Sequence, residues 1–233
     1  MTSNELNLDQ DWSIGEEAFA VLLQELRANA VRTIVEFGAG RSSVRLALEF
    51  PEAEIHTIDH NKTFFENTVR LLKHHIPDGK VQAHLRPLVW QRHAGALYLS
   101  YREGPFPTGI DVVIIDGPPI WTRRGREACL YQVLDKLRVG GRVYLDDFSR
   151  PGEQRIVGNW TATIGQAFTF RRLEVGHHWC VLQKQKPAER PGVSLSVTID
   201  SWEQNLRWAY DAVQDGMTRI SQHFERNPSK QRE

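Results

Sequence analysis

Short apolar runs alternate with amphipathic segments along most of this 233-residue chain, and the alternation constrains the fold more than any other feature of the sequence. Residues 31–37 are rich in β-branched side chains and end at glycines, which predicts a strand buried on both faces. By the same criteria we predict strands at 54–58, 80–85, 110–115 and 141–146, and helices at 14–29, 42–50, 62–75, 124–138 and 152–165. Strands that alternate with helices predict a doubly wound α/β fold with a mostly parallel sheet covered on both faces.

Two segments differ from this alternation. Residues 168–175 and 178–183 are strand-like, and the gap between them is too short for anything but an antiparallel hairpin. We therefore predict a seven-stranded, mostly parallel sheet that ends in an antiparallel hairpin. The connection from about 86 to 109 is predicted to contain a short helix at 93–102, and connections of this length usually carry part of a site.

The elements of the sheet end near residue 186, so we predict a main domain at 1–186 and an extension with a linker and a C-terminal helix at 187–233. Apolar residues recur in the extension at spacings of three and four: Trp202, Leu206, Ala209, Val213, Met217, Ile220 and Phe224. Such a stripe predicts one long amphipathic helix. The stripe either packs against the main domain or forms a homodimer contact or a lid over a substrate.

The composition argues against several classes of function. Lysine plus arginine and aspartate plus glutamate number 29 each, so the chain lacks the basic balance of a dedicated nucleic-acid-binding protein, and a small-molecule substrate is favoured. No apolar run approaches the ~20 residues that cross a bilayer, and the polar, acidic first residues do not resemble a signal peptide. We therefore expect no membrane association and a cytoplasmic location, with Cys129 and Cys180 as reduced thiols.

The turn after the first predicted strand has the composition of a ligand-binding loop. Gly38 and Gly40 let the backbone approach a ligand, and the following helix offers free N–H groups. A dinucleotide-binding turn would have a third glycine at position 43, where this chain has Ser43. Glu36 favours a cationic ligand over a pyrophosphate. Asp59 follows the glycines by about 20 residues, where an acid can accept the hydroxyls of a ribose.

Four blocks follow one another along the chain: IVEFGAGRSS, TIDHN, DVVIIDGPP and LRVGGRVYLDDFSR. In this order and spacing they resemble the class I S-adenosylmethionine-dependent methyltransferases over residues 30–185. The resemblance implies a Rossmann-like sheet with S-adenosyl-L-methionine (SAM) bound at the carboxyl ends of the strands. It further implies that the glycine turn lines the methionine moiety, that an acid holds the ribose and that a histidine lies near the adenine. The implied cofactor-binding residues are Glu36, Gly38, Gly40, Ser42, Ser43, Asp59, His60 and Asp116.

Three carboxylates are expected at the same crevice. Asp116 ends the fourth predicted strand, Asp146 and Asp147 end the fifth, and the carboxyl ends of parallel strands share one edge of the sheet. Clustered carboxylates repel one another and need a cation, a hydrogen-bond partner or a substrate amine. The pattern resembles the metal-dependent small-molecule O-methyltransferases, which implies that the three acids hold Mg²⁺ and that Asp116 and Asp146 are catalytic. In the alternative, Asp146 and Asp147 cap the next helix or pair with Arg150 or Arg155.

The general base is not identified by the sequence. Catechol-type members of the family have a lysine three residues after the fourth-strand aspartate, and this chain has Pro119 there. His93, His177 and His178 are the histidines considered in its place, and nothing around them selects one.

A basic cluster follows Trp121 at Arg123, Arg124 and Arg126. Either these arginines bind a phosphate or carboxylate of a substrate that stacks on Trp121, or they form the solvated start of a helix.

These features predict a methyltransferase that transfers the methyl group of SAM to a small molecule, with a hydroxyl as the favoured acceptor. The alternative is a protein of the same fold that binds cofactor or a partner without catalysis. A nicotinamide-dependent oxidoreductase is a third interpretation, which Ser43 and the closing hairpin disfavour.

Overall fold

The computed structural model of the chain describes residues 6–9 and 14–226. The strands of this part are β1 (Thr33–Phe37), β2 (Glu54–Asp59), β3 (Val81–Leu85), β4 (Leu88–His93), β5 (Ala96–Tyr101), β6 (Ile110–Ile115), β7 (Leu137–Leu145), β8 (Phe168–Leu173) and β9 (Trp179–Lys184). The helices are α1 (Glu16–Arg27), α2 (Arg41–Glu49), α3 (Lys62–His75), α4 (Gly125–Val133), α5 (Pro151–Ile164) and α6 (Leu195–Arg226).

Seven of these strands form one sheet in the order β3-β2-β1-β6-β7-β9-β8. The strands from β3 to β7 in this order are parallel, whereas β9 runs antiparallel to β7 and β8 antiparallel to β9. From β1 the chain adds β2 and β3 on one side, and it then adds β6 and β7 on the other side. The connections after β1 and β6 therefore leave the sheet in opposite directions, and a crevice forms at the carboxyl ends of these two parallel strands. The predicted doubly wound sheet with its closing hairpin is confirmed.

Helices cover both faces of the sheet. On one face, Phe19 of α1 and Leu46 of α2 are fully buried in a cluster with the sheet. On the other face, Leu130 of α4 and Trp160 of α5 are fully buried, and the Trp160 indole donates a hydrogen bond to the Glu127 carbonyl at 3.1 Å. Each such apolar side chain contributes about 1.5–3 kcal/mol through burial, which holds the helices against the sheet.

The connection between β3 and β6 contains a hairpin, β4–β5, in place of the helix predicted at 93–102. Ala96, Tyr98 and Ser100 point into the core, and the residues between them are more exposed, which is the period of two of a strand. Ala94 and Gly95 have φ values of 52° and 85°, as a two-residue hairpin turn requires. The helix prediction is therefore wrong, because the turn at Ala94 and Gly95 folds the chain back so that β5 pairs with β4.

Helix α4 is shorter than the predicted 124–138, and β7 begins earlier than the predicted 141. The Lys136 N–H donates to the Val133 carbonyl at 2.9 Å and closes the helix in a turn. Leu137 is buried and pairs with Ile110 of β6, so this residue belongs to β7 and not to the predicted helix.

Helix α6 is present, and its first turns dock on the rest of the chain. Val197 is fully buried, and the Ser201 hydroxyl donates to the Leu97 carbonyl at 3.2 Å. The predicted stripe does not pack against the main domain where its side chains are described, because Trp202 is 67% and Leu206 65% exposed.

The side chains of Met217, Ile220 and Phe224 lie outside the described part. No helix in the described residues is long and apolar enough to cross a membrane.

Candidate active site

The backbone of the turns after β1 and β6 lines the bottom of the crevice at the carboxyl ends of these strands. The Gly38 N–H donates to the Ile58 carbonyl at 2.9 Å, and the Gly117 N–H donates to the Phe37 carbonyl at 2.7 Å. Gly38 has a φ of 111°, and a Cβ there would lie 3.0 Å from the Gly117 nitrogen. A Cβ on Gly117 would lie 2.1 Å from the Tyr101 hydroxyl. Only glycine fits at these two positions, so the turns after β1 and β6 pack directly on each other.

Glu36 lies beneath the glycine turn and is fully buried. Its carboxylate accepts hydrogen bonds from the hydroxyls of Ser42 at 2.6 Å, Thr57 at 3.0 Å and Ser43. The Ser43 hydroxyl also accepts the Gly40 N–H at 3.1 Å. The cofactor contacts implied for Glu36, Ser42 and Ser43 stay predictions. Their polar atoms bond to one another and hold the start of α2 against the turn.

Burial raises the pKa of Glu36 to about 7, although the three hydroxyl donors oppose the shift. A carboxyl group whose pKa is higher in the folded state than in the unfolded state adds stability below its unfolded pKa, and this stability is lost as the pH rises through the folded pKa. Relative to wild type, Glu36→Gln should therefore gain stability between about pH 4.5 and 7, by up to about 1.4 kcal/mol per pH unit. Urea denaturation across this range measures the difference.

The matched control is Glu52→Gln, since the Glu52 side chain is 91% exposed and should show no such trend. Parallel stability curves for wild type and Glu36→Gln would contradict the buried ionisation.

Asp59 and His60 stand at the end of β2, beside the glycine turn. One carboxylate oxygen of Asp59 accepts the Asn61 N–H at 2.6 Å and lies 3.4 Å from His60 Nδ1. The His60 ring faces the edges of Tyr101 and Trp121, with centroid distances of 6.0 and 6.5 Å. The predicted ribose and adenine residues are thus adjacent to the turn, while their ligand contacts stay predictions.

Two further residues at this crevice were missed by the sequence reasoning. Tyr101 is buried, stacks on Phe37 at a centroid distance of 5.9 Å and lies close to Gly117. Arg86 follows β3, holds its guanidinium 4.3 Å above the Phe106 ring and is only 7% exposed, and its Nη1 has no hydrogen-bond partner. The alternation of β5 could have indicated Tyr101, but no sequence motif marks Arg86.

The structure brings Asp116, Asp146 and Asp147 together, with one carboxylate oxygen of each within 4.8 Å of the others. Arg126 reaches into this cluster. Its Nη1 donates to Asp147 Oδ2 at 3.0 Å, and its Nη2 lies 3.5 Å from Asp116 Oδ1. Arg150 binds Asp147 Oδ2 at 2.5 Å, in agreement with the alternative prediction that this acid pairs with an arginine. The carboxylates of Asp116 and Asp147 therefore have cationic partners within the chain.

This donor set suits guanidinium groups better than a divalent ion. Mg²⁺ needs nearly octahedral oxygen ligands and keeps several waters. Two arginines already occupy one oxygen of Asp147, and Arg126 also lies 3.7 Å from the buried Glu153. Burial and the neighbouring acids Asp116 and Asp147 raise the pKa of Asp146 to about 8. The arrangement therefore favours arginine partners over Mg²⁺, and the catalytic and metal-binding roles implied for Asp116, Asp146 and Asp147 stay predictions.

The basic cluster has a structural role that neither sequence interpretation anticipated. Arg124 and Arg126 are both 5% exposed, so they are neither a solvated helix start nor an open substrate site. Arg124 binds Glu127 at 2.7 Å and Asp200 of α6 at 3.1 Å. Its guanidinium therefore fastens α6 to α4.

Among the described residues, the candidate histidines make no hydrogen bond or ion pair with the three acids. His93 is buried between Tyr98 and Tyr131, at centroid distances of 6.1 and 5.9 Å. His178 lies 3.4 Å from Glu174 beside the β8–β9 turn, and His177 is exposed in that turn.

Comparison with known proteins gives matches at the level of structure. The O-methyltransferase TomG from Streptomyces achromogenes has a TM-score of 0.60 and 17% identity, and the match covers 80% of this chain and 92% of that chain. A methyltransferase from Geobacter sulfurreducens has a TM-score of 0.55 and 14% identity, with 74% and 81% covered. An S-adenosylhomocysteine-bound methyltransferase from Podospora anserina has a TM-score of 0.53 and 15% identity, with 72% and 78% covered.

By sequence, no family model and no curated protein matches the chain. The chain has the fold of the class I S-adenosylmethionine-dependent methyltransferases.

Proposed function

We propose that this protein is an enzyme that transfers the methyl group of SAM to a hydroxyl of a small molecule. The observation that carries the proposal is the meeting of the glycine turn and the carboxyl group of Asp146 at one edge of the sheet, with Asp116 between them in the strand order. The named neighbours support it, since TomG is an O-methyltransferase in complex with SAM.

The residues present fit SAM at the crevice. A Cβ on Gly40 would meet nothing closer than the Ser42 hydroxyl at 4.0 Å, so the turn leaves open space at the start of α2. Asp59 ends β2, the strand next to β1, where its carboxylate can accept the ribose hydroxyls. Arg86 follows β3, the next strand of the sheet, and its Nη1 has no hydrogen-bond partner. Four acids, Asp116, Asp146, Asp147 and Glu153, outnumber the two arginines among them, which favours a cationic ligand nearby.

When bound, SAM supplies a methyl group activated by its sulfonium. Asp146 accepts the proton of the acceptor hydroxyl, and its raised pKa makes it a stronger base than an ordinary aspartate. Arg126 and Arg150 hold Asp116 and Asp147 in place beside it. Most of the rate enhancement then comes from holding the hydroxyl oxygen in line with the methyl group.

Calorimetry with SAM and S-adenosylhomocysteine, followed by turnover with a panel of hydroxylated acceptors, tests the proposal. We expect saturable binding of both cofactor forms and release of S-adenosylhomocysteine with at least one acceptor. If neither cofactor form binds, the proposal is wrong. Binding without turnover on a broad panel would favour the catalytically silent alternative.

Treatment with EDTA should leave activity unchanged, because Arg126 and Arg150 rather than a metal pair with Asp116 and Asp147. The measurement compares initial rates before chelation, after it and after addition of Mg²⁺. Loss of activity that Mg²⁺ restores would show that the three acids hold a metal, as the resemblance implied.

Substitutions in the glycine turn should separate cofactor binding from folding. Gly40→Val should weaken SAM binding at least tenfold with little change in Tm, because its side chain enters open space at the turn. Gly38→Val should lower both SAM affinity and Tm, because φ is 111° and the side chain would strike Gly117. Gly152→Ala is the control, as nothing lies within 4 Å of its added Cβ. Unchanged SAM affinity in Gly40→Val would contradict the placement of the cofactor.

A further inference from the structure

Helix α6 has two faces that pack differently. Val197 and Ser201 are at most 3% exposed, and Asp200 beside them pairs with Arg124. The residues on the opposite side are apolar and 58–75% exposed: Leu195, Ile199, Trp202, Leu206, Tyr210 and Val213. At 3.6 residues per turn these two sets lie about half a turn apart around the helix. The docked face holds the helix in place, and the apolar stripe faces away from the domain.

The stripe repeats every seven residues. Ile199, Leu206 and Val213 are spaced by seven, and Leu195 and Trp202 form a second set with the same spacing. Together they occupy the a and d positions of a heptad, the pattern by which one helix packs along another. This spacing suits a second helix as the partner, because a and d residues of two helices interdigitate along their length.

The exposed apolar area is that of a protein interface. An aromatic side chain carries about 150–250 Å², so the six residues of the stripe expose on the order of 800 Å². The largest apolar patch on a typical monomer is about 300–600 Å², whereas each partner of a standard interface contributes about 800 Å². Glu203 and Arg207, an exposed ion pair, run beside the stripe as a polar rim.

We propose that α6 packs against α6 of a second copy of this chain in a two-fold symmetric homodimer. In the described part of the chain, α1 to α5 have their apolar faces in the core of the sheet, so none of them presents a second heptad stripe. The stripe of a second copy has the required period and length, and a two-fold axis lets one surface serve both partners. With a formal net charge of zero, two copies do not repel each other over long distances.

Sedimentation velocity of the full chain from about 1 to about 100 µM tests the proposal with two matched double variants. Trp202→Gln/Leu206→Gln changes the stripe, and Glu203→Gln/Arg207→Gln changes the adjacent rim with the same introduced residue. We expect wild type and the rim variant to sediment as a species of twice 26.8 kDa. The stripe variant should sediment as a monomer, its dimer dissociation constant raised at least about a hundredfold. Circular dichroism checks that each variant keeps its helix content.

A wild-type chain that stays monomeric over the whole range would overturn the proposal. So would a dimer that survives in the stripe variant, because the contact would then lie elsewhere. Flotation with vesicles of phosphatidylcholine and phosphatidylglycerol adds a second arm. Vesicle binding by a monomeric wild-type chain would assign the stripe to a lipid surface instead.

Discussion

Replacing Asp146 by asparagine is expected to lower kcat for methyl transfer by about 10²–10⁴ while the affinity for SAM changes little. The amide keeps the shape of the side chain but cannot accept a proton from the acceptor hydroxyl. Because burial and two neighbouring acids raise the pKa of Asp146 to about 8, wild-type kcat should rise with pH up to about 8 and then level off. Asp146→Asn should lose this pH dependence along with its activity.

Initial rates against pH, with saturating SAM and an acceptor from the hydroxyl panel, provide the measurement. Asp135→Asn is the control, because Asp135 is exposed and pairs with Lys136 away from the crevice. A loss of activity smaller than tenfold, or a retained pH dependence, would exclude Asp146 as the base and leave it a structural role among the acids.

Arg126→Met should lower the free energy of unfolding by about 3–5 kcal/mol, because it removes the cation that pairs with Asp116, Asp147 and the buried Glu153. Arg126 is 5% exposed and lies within 3.7 Å of Asp116, Asp147 and Glu153. Desolvation raises the pKa of Asp116, and Arg126 opposes that rise, so the variant should shift this carboxyl further toward its neutral form. The loss of stability should therefore be smaller at acidic pH, where the acids are protonated. Urea denaturation at acidic and slightly alkaline pH measures both effects.

Arg27→Met is the matched control, since the Arg27 side chain is 59% exposed in its ion pair with Glu49 and should cost at most about 1 kcal/mol. Arg126→Lys tests geometry, because it keeps the charge without the planar fork that reaches several acids. If Arg126→Met is as stable as the control, solvent or another cation compensates the acids. The metal interpretation would then regain support.

Much of the fold follows from local sequence patterns. A β-branched run that ends at glycines predicts the buried strand β1, and the amphipathic spacing of α1 to α3 predicts helices. The gap between β8 and β9 is so short that the two strands can pair only as an antiparallel hairpin. The hairpin β4–β5 shows the limit of this reasoning. Its apolar run suits either a helix or a strand, and the positive φ at Ala94 and Gly95 decides between them.

By itself, the sequence determined the class of sheet, which is doubly wound and mostly parallel, and the position of the ligand turn. It also determined that Asp59, Asp116 and Asp146 lie at one edge, because parallel strands have their carboxyl ends on the same side of a sheet. Only the tertiary structure decided what those groups contact. Glu36 bonds to hydroxyls beneath the turn, and Arg126 lies among the acids instead of in solvent. Such partners depend on which side chains meet across elements far apart in the chain, and the periodicity of one element carries no information about the residue that will face it.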